Sequence, residues 1–274
     1  MKTICAICPH RCALEEGQTG LCRARRNEGG RIVCANYGLL TSLALDPIEK
    51  KPLARFHPGS AILSAGSFGC NLRCSFCQNS AISMAGSDAR TAYVSPQELV
   101  AAAVRETPRG NIGLAFTYNE PLVGYEYVYD CAVLAREEGL KAVLVTNGTV
   151  CEEPLIRLLP FVDAMNIDLK AFTGEGYRKL GGWLDTVKRT IELSSTACHV
   201  EVTTLVVPGF NDSEREMEDE AAWLASIDPE TPLHISRFFP CYRMRDAAPT
   251  PVSTIYRLRD AAAKKLHYVY TGNC

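Results

Sequence analysis

The sequence carries little net charge and has no long apolar run. Its 274 residues have a formal net charge of −2 at pH 7, so composition does not favour binding to nucleic acids or other polyanions. No apolar stretch approaches the length needed to span a membrane. The start, Met-Lys-Thr-Ile-Cys, is not followed by an apolar core, so we expect no signal peptide. Hydrophobic content of 47% and charged content of 22% are ordinary for a globular protein with a full core.

Cysteine, in contrast, is abundant. Thirteen cysteines in a chain of this size, without secretion signals, favour metal binding over disulfide bonds. Cys70, Cys74 and Cys77 lie in a glycine-punctuated loop after a short apolar strand, with the spacing C-x3-C-x2-C. Three thiolates on one loop can hold a cubane iron–sulfur cluster, which takes four ligands, so one iron would stay open for a substrate or cofactor atom. A zinc site is disfavoured because no matching cysteine pair or histidine couple follows.

The N-terminal region contains a second group of cysteines. Cys5, Cys8, Cys12 and Cys22 lie in a glycine-rich stretch that we expect to be loop-like. Four cysteines at these spacings can bind zinc in a tetrahedral site or hold an auxiliary iron–sulfur cluster, and the spacing does not choose between them. Free thiols are less favoured, because so short an arm needs a cross-link, such as a bound metal, to fold. We therefore predict a metal-binding arm and connector over residues 1–58 and a main domain over residues 59–274.

From residue 61 onward, apolar strands alternate with amphipathic helical patterns. Repeated strand–helix units predict a parallel sheet with right-handed crossovers. Six such units fall short of the eight of a full barrel, so we expect an α/β fold with a partial (β/α)6 TIM-like barrel, whose chemistry gathers where strands end. A short strand should follow the last helix. The predicted strands are residues 61–66, 112–117, 141–146, 163–169, 199–206 and 232–238, and the predicted helices are residues 95–107, 121–138, 152–159, 183–196, 214–226 and 252–265.

The cysteine loop resembles that of the radical S-adenosylmethionine (SAM) superfamily. The resemblance rests on the C-x3-C-x2-C spacing after a strand and on an aromatic residue, Phe76, just before the last cysteine. It implies a [4Fe-4S] cluster whose open iron chelates SAM. One electron from the cluster splits a carbon–sulfur bond, and the resulting 5'-deoxyadenosyl radical abstracts a hydrogen atom. It also implies a reductant such as flavodoxin or ferredoxin. Because such clusters are oxygen-labile, we expect a reducing cytoplasm in a low-oxygen habitat.

Further motifs resemble one branch of that superfamily, the AmmeMemoRadiSam-system radical SAM enzymes, which are relatives of pyruvate formate-lyase activating enzyme. If the likeness extends to function, the substrate is a glycine in a partner protein. The alternatives are radical modification of a small metabolite and a non-catalytic iron–sulfur electron-transfer protein. Polar residues at the strand ends argue against the electron-transfer protein, because an electron carrier needs no ligand pocket. The motifs are Cys-x2-Cys-Pro-His-x-Cys in the arm, Asp46-Pro-Ile-Glu-Lys-Lys-Pro-Leu, Tyr-Asn-Glu-Pro, Asp-Leu-Lys and the ending Tyr-Val-Tyr-Thr-Gly-Asn.

Several predicted strands end in residues that can contact SAM. In Tyr118-Asn119-Glu120-Pro121, the Glu120 carboxylate can pair with the SAM amino group, and it can also stand at a helix start. Asn147 can hydrogen-bond a ligand or form a tight turn. Asp168 and Lys170 alternate along one strand, so both face the same side, either at the ligand or as an ion pair at the barrel mouth.

The last two predicted strands supply the remaining candidates. The resemblance assigns the end of the fifth strand, with Thr203, Pro208 and Gly209, to the adenosyl group. Gly209 would permit a close backbone approach, although Pro-Gly is also typical of a turn before a helix. By the same resemblance His234 approaches the methionyl group. The alternative is a histidine whose hydrogen bonds are satisfied within the core.

Overall fold

The computed structural model describes residues 2–274. These residues contain fourteen strands and eight α-helices. The strands are β1 (Thr3–Ile4), β2 (Ala13–Leu14), β3 (Arg25–Glu28), β4 (Arg31–Cys34), β5 (Leu39–Leu40), β6 (Ser42–Pro47), β7 (Ala61–Gly66), β8 (Ala92–Tyr93), β9 (Asn111–Phe116), β10 (Lys141–Thr146), β11 (Ala164–Asp168), β12 (His199–Val206), β13 (Leu233–Arg237) and β14 (Val269–Gly272). The helices are α1 (Ser80–Ser83), α2 (Pro96–Arg105), α3 (Tyr125–Glu137), α4 (Glu152–Leu158), α5 (Gly174–Leu180), α6 (Leu184–Ser195), α7 (Glu214–Ile227) and α8 (Val252–Ala262). Short 3₁₀ helices span Ile48–Lys50, Thr107–Arg109, Pro121–Gly124 and Leu159–Phe161.

Eight of these strands form one sheet in the order β14-β13-β12-β11-β10-β9-β7-β6. Each neighbouring pair is parallel except β6 and β7, which are antiparallel. The central strands are buried along almost their whole length, as expected for parallel strands that are linked by helices. In residues 2–274 the edge strands β6 and β14 do not pair with each other, so the sheet is a partial barrel.

The six predicted parallel strands are confirmed as β7 and β9 to β13. The short strand expected near the end is β14, which adds a seventh parallel strand beside β13. The sequence did not predict β6, which pairs with β7 from Ser42 to Pro47. The division of the chain after residue 58 stays a prediction, and β6 shows that part of the N-terminal region is built into the sheet.

Helix starts follow the expected chemistry in most places. A capping box precedes α2, with the Ser95 hydroxyl accepting from Glu98 N at 3.3 Å and the Glu98 carboxylate accepting from Ser95 N at 2.8 Å. Helix α5 was not predicted, because Gly174 and Gly176 weaken the helical pattern; the Thr173 hydroxyl caps it by accepting from Gly176 N at 3.0 Å. None of the helices in residues 2–274 combines the length and the apolar character needed to cross a membrane.

Buried polar contacts hold the N-terminal region against the barrel. Arg25 forms a two-pronged ion pair with Glu126 on α3, with 2.7 Å between Arg25 Nη2 and Glu126 Oε1. The connector after β6 is held by Glu201 on β12, whose carboxylate accepts hydrogen bonds from Ala54 N at 2.9 Å and Arg55 N at 2.8 Å. Because removing one partner would leave a buried charge unpaired, these contacts tie arm and connector to the sheet.

A buried carboxyl group on α7 connects this helix to β12. The Glu220 side chain is 1% exposed, and its Oε1 lies beside the Thr204 hydroxyl, which is also 3.1 Å from the Leu169 carbonyl oxygen. A hydroxyl has one proton to donate, so when Thr204 donates to Leu169, a protonated Glu220 can donate to Thr204. Burial raises the pKa of Glu220 to about 8.

This raised pKa predicts that Glu220 makes the folded state less stable as pH rises. The folded protein keeps the Glu220 proton up to about pH 8, whereas the ordinary pKa is 4.5, so the stabilisation present below pH 4.5 is lost between these values. In Glu220→Gln the amide can still donate to Thr204 and has no proton to release. Urea titrations across this range should therefore show a smaller fall in the free energy of unfolding for the variant. The control is Glu218→Gln, because Glu218 is exposed on the same helix. If the free energy of unfolding falls equally with pH in Glu220→Gln and in wild type, the raised pKa of Glu220 is contradicted.

Candidate functional site

The carboxyl ends of the parallel strands meet at one cavity of about 670 Å³. This volume is typical of a site for a small molecule. The structure brings the three loop cysteines and most of the predicted SAM residues together around it. Those that line the cavity are Cys70, Cys74, Phe76, Cys77, Tyr118, Asn119, Glu120, Asn147, Asp168, Lys170, Thr203 and His234.

The cysteine loop between β7 and α1 is held in shape by Asn119. Asn119 Oδ1 accepts a hydrogen bond from Ser67 N at 2.9 Å, and Asn119 Nδ2 donates to the Gly69 carbonyl oxygen at 3.1 Å. Gly69 has φ +91°, and a side chain there would meet the Cys22 carbonyl oxygen at 2.5 Å, so the position requires glycine. These contacts determine the path of the backbone that leads to Cys70.

A second amide network holds the same loop further along. Asn71 is 2% exposed; its Nδ2 donates to the Thr149 carbonyl oxygen at 2.7 Å, and its Oδ1 accepts from Asn147 Nδ2 at 2.9 Å. Asn147 Nδ2 also lies 3.6 Å from the sulfur of Cys70. Asn71 was not predicted as a site residue; the signal that could have found it is an uncharged polar residue inside the three-cysteine motif. Asn147 therefore holds the loop in addition to lining the cavity.

Glu120 lies buried between the ends of β9 and β10. Its carboxylate accepts hydrogen bonds from Leu122 N at 3.0 Å, the Thr146 hydroxyl at 2.7 Å and Asn147 N at 2.8 Å. The first of these caps the 3₁₀ helix that follows, as the helix-start interpretation predicts. Burial raises the pKa of Glu120 to about 7, against the lowering effect of the three hydrogen bonds. A carboxylate has about four acceptor positions, so one remains for a group in the cavity.

Asp168 and Lys170 form an ion pair at the cavity wall. Lys170 Nζ lies 2.9 Å from Asp168 Oδ2, and both side chains face the cavity, as their alternation along the strand predicts. Burial lowers the pKa of Lys170, but the Asp168 carboxylate and the nearby Cys74 outweigh this effect and raise that pKa above its usual range. Lys170 therefore keeps a positive charge that can bind an anionic group.

His234 is held by Glu201, a fully buried carboxylate on the neighbouring strand β12. His234 Nε2 lies 2.5 Å from Glu201 Oε2, and the ring stacks on Tyr270 with centroids 5.2 Å apart. Burial raises the pKa of Glu201, but its four hydrogen bonds outweigh this and bring that pKa to about 2. Because the ionised carboxylate can only accept, Nε2 must be the protonated nitrogen of His234. Glu201 was not predicted as a site residue. The feature of the sequence that could have found it is a charged residue within an apolar strand.

Pro208 and Gly209 do not line the cavity, and the contact of this pair with the adenosyl group stays a prediction. The last β12 side chain at the cavity is that of Leu205. The pair forms the turn after β12, where Gly209 has φ +72°, a backbone conformation that favours glycine for the turn itself. Thr203, in contrast, lines the cavity as predicted.

Tyr118 adopts left-handed backbone geometry, with φ +72°, which costs energy in a residue other than glycine. Its hydroxyl donates to Asp46 Oδ2 at 2.6 Å, and the same oxygen lies 2.8 Å from Lys51 Nζ. Lys51 is 2% exposed, and its ammonium is 4.7 Å from the centroid of the Tyr118 ring. A side chain at Gly66 would meet that ring at 2.7 Å. Strand β6 and the connector after it thus hold the residue directly before Asn119.

The arm cysteines lie at a separate place. Cys5, Cys8, Cys12 and Cys22 line a cavity of about 10 Å³ beside Asn71. The pairing of β1 with β2 brings two of them together, with Cys5 N donating to the Cys12 carbonyl oxygen at 2.9 Å. The structure therefore places all four predicted arm ligands around one small space.

Comparison with known proteins identifies the family. A model of the Radical SAM superfamily matches residues 66–221, from the end of β7 into α7. This range is more than half of the chain, so the chain belongs to the Radical SAM superfamily. Membership implies a [4Fe-4S] cluster and SAM as cofactors.

The chain is similar to one protein over nearly its whole length and to activating enzymes over part of it. It is 42% identical to Uncharacterized protein MJ0808 of Methanocaldococcus jannaschii, over 99% of this chain and 81% of that protein. It is 27% identical to a pyruvate formate-lyase-activating enzyme of Clostridium pasteurianum, over 58% of this chain and 67% of that enzyme. A solved domain of a pyruvate-formate lyase-activating enzyme from Bacteroides vulgatus superposes with a TM-score of 0.51 at 18% identity, covering 59% of this chain and 99% of that domain. This last likeness shows the fold alone.

The donors at the large cavity fit a cluster with three protein ligands. Among the cysteines of residues 2–274, Cys70, Cys74 and Cys77 alone line this cavity, so a cubane held there would have one iron without a protein thiolate. Burial raises the pKa of Cys70, and it raises that of Cys74 to about 11. Such buried sulfur atoms become thiolates when a cation replaces the proton.

The Asp46–Lys51 pair behind Tyr118 predicts a large effect of removing one partner. Asp46→Asn leaves the Lys51 ammonium buried without a counter-charge and should lower the free energy of unfolding by about 3 kcal/mol. Adding Lys51→Met removes that charge and should restore part of the loss, as measured by urea denaturation. Lys50→Met is the control: its ammonium is 67% exposed and 3.5 Å from Asp46, so the change should stay below about 0.5 kcal/mol. A double variant no more stable than Asp46→Asn would contradict the buried pair.

Proposed function

We propose that this protein is a radical SAM enzyme that abstracts a hydrogen atom from a substrate carbon. The observation that carries the proposal is that three cysteines of one loop line the same cavity as a carboxylate, an amide and a lysine–aspartate pair. Cys70, Cys74 and Cys77 would ligate the cluster. When bound there, the reduced cluster would supply the electron that splits a carbon–sulfur bond of SAM and leaves a 5'-deoxyadenosyl radical.

The polar residues of the cavity can contact different groups of SAM. Glu120 keeps one acceptor position free and can bind the SAM amino group by a charge-assisted hydrogen bond. Lys170, 2.9 Å from Asp168, can bind the SAM carboxylate. Thr203 and His234 are register partners on β12 and β13, and both line the cavity, so they are the candidates for contact with the adenosyl and methionyl groups.

Apolar side chains shield the cavity from water. Phe76 is 4% exposed and packs against Phe210 with ring centroids 5.6 Å apart. Leu72, also at the cavity, is fully buried. A radical must be protected from side reactions with solvent, and these walls exclude water next to the cysteine loop.

The gap between the sheet edges offers a route for the substrate. Glu49 and Lys50, just after β6, line the cavity together with Tyr270 and Thr271 on β14, so the cavity extends to both edges of the partial barrel. The relative from Clostridium pasteurianum is named as a pyruvate formate-lyase-activating enzyme, and by this analogy we infer a glycine of a partner protein as substrate. A small metabolite is the alternative, because a cavity of about 670 Å³ also suits small molecules.

The remaining parts of the proposal follow from the chemistry and the motifs. The reaction needs a one-electron reductant, such as flavodoxin or ferredoxin. An oxygen-labile cluster fits a reducing cytoplasm. The assignment to the AmmeMemoRadiSam branch is supported by the sequence motifs of the arm, the connector and the chain end.

The central experiment is anaerobic reconstitution followed by reduction, with and without SAM. Wild-type protein should show an electron paramagnetic resonance signal that SAM perturbs, and it should release 5'-deoxyadenosine. The variant Cys70→Ala/Cys74→Ala/Cys77→Ala should show neither the perturbed signal nor the product. A cluster signal that ignores SAM would reject the proposal and favour an electron-transfer protein.

The same assay tests the substrate class. A glycine-containing peptide of the partner type, deuterated at the glycine α-carbon, should transfer deuterium to 5'-deoxyadenosine if the activating-enzyme analogy holds. Release of unlabelled 5'-deoxyadenosine with every such peptide would favour a small metabolite.

The Lys170 assignment predicts a specific loss of SAM affinity. Lys170→Met removes a charge-assisted hydrogen bond worth roughly 1.5–3 kcal/mol, so SAM should bind about 10- to 100-fold more weakly. Equilibrium dialysis with the reconstituted protein measures this. The matched control is Lys141→Met, because Lys141 forms a similar ion pair with Asp163, at 2.8 Å, at the amino end of β10. Equal SAM affinities for the two variants would remove Lys170 from the SAM site.

A further inference from the structure

The N-terminal cysteines surround a space that the radical chemistry does not use. Cys5, Cys8 and Cys22 are 5%, 8% and 6% exposed, and Cys12 is half-buried. None of the cysteines in residues 2–274 forms a disulfide. The space that these four cysteines share is about 10 Å³, roughly the room that one water-sized atom needs.

A buried cation lies beside the four cysteines. Arg25 is 4% exposed and lines the same small cavity. Its terminal nitrogens bind Glu126, but its Nε finds no hydrogen-bond partner within residues 2–274. A buried donor without a partner is costly, and a negatively charged metal–thiolate centre beside it would supply an acceptor.

The size of the space favours a single ion over a cluster. A cube of four irons and four sulfides needs far more room than about 10 Å³, whereas a single ion fits. Four thiolates around one ion are the donor set of structural zinc, with Zn–S distances of about 2.3 Å. No three His, Cys, Asp or Glu side chains in residues 2–274 are yet close enough to share one ion, so ligation requires the cysteine side chains to rotate toward the shared space.

We propose that Cys5, Cys8, Cys12 and Cys22 bind one structural Zn²⁺ ion, which holds the arm against the loop that carries Cys70. The arm meets that loop on both sides of Cys70. The Cys22 carbonyl oxygen lies against Gly69, where a side chain would approach it to 2.5 Å. His10 Nε2 donates to the Asn71 carbonyl oxygen at 2.8 Å. The ion thus stabilises the conformation from which the loop presents its cysteines.

The test uses the full chain carrying Cys70→Ala/Cys74→Ala/Cys77→Ala, so that only the arm can bind metal tightly. This protein cannot perform the radical reaction, and its result is therefore independent of the proposed function. After loading with Zn²⁺ and desalting, elemental analysis should find about one zinc per chain. Co²⁺ in its place should give the intense visible absorption of a tetrahedral thiolate site.

Two single replacements in that background locate the site. Cys12→Ser removes the half-buried ligand and should weaken zinc binding at least tenfold. Cys34→Ser, in the same arm but outside the cavity lining, should leave it unchanged. Absence of stoichiometric zinc, iron with sulfide in its place, or equal zinc affinity of the two variants would overturn the proposal. If Cys12→Ser does not fold, the Co²⁺ spectrum of the unaltered arm decides, and an octahedral spectrum would reject the site.

Discussion

The buried carboxylate of Glu120 is the contact on which the site depends. It accepts hydrogen bonds from the Thr146 hydroxyl and from Asn147 N, and so joins the end of β9 to the end of β10. Asn147 in turn donates to Asn71 inside the cysteine loop. A continuous set of hydrogen bonds therefore runs from the sheet to the cysteines. Because a buried polar group is costly when it loses its partner, each member of this network restrains the next.

The same loop is restrained by parts of the chain that lie far from the strand ends. Asn119 holds its beginning through Ser67 and Gly69, and Tyr118 is held in turn by Asp46 of β6. The N-terminal arm contacts the residues on both sides of Cys70. Barrel, connector and arm thus meet at one short loop in front of the cavity. A cavity held in this way suits chemistry that must position a reactive cofactor and exclude water.

The order of elements and most cavity residues could be predicted from the sequence, because strand–helix alternation determines where strand ends meet. The strand β6 could not, since Asp46 and Pro47 are unfavourable in strands and its pairing with β7 depends on tertiary contacts. Asn71 was missed for a similar reason: its partner Asn147 is 76 residues away. The role of Gly209 could not be decided from the sequence, because a glycine required by a turn and one required by a ligand look the same there.

The central claim is that SAM binds the iron left open by Cys70, Cys74 and Cys77. Electron–nuclear double resonance tests it most directly, using the reduced, reconstituted protein and SAM labelled with nitrogen-15 in the amino group and oxygen-17 in the carboxylate. The account predicts hyperfine coupling of both labels to the cluster spin. A reduced cluster that couples to neither label at saturating SAM would contradict it.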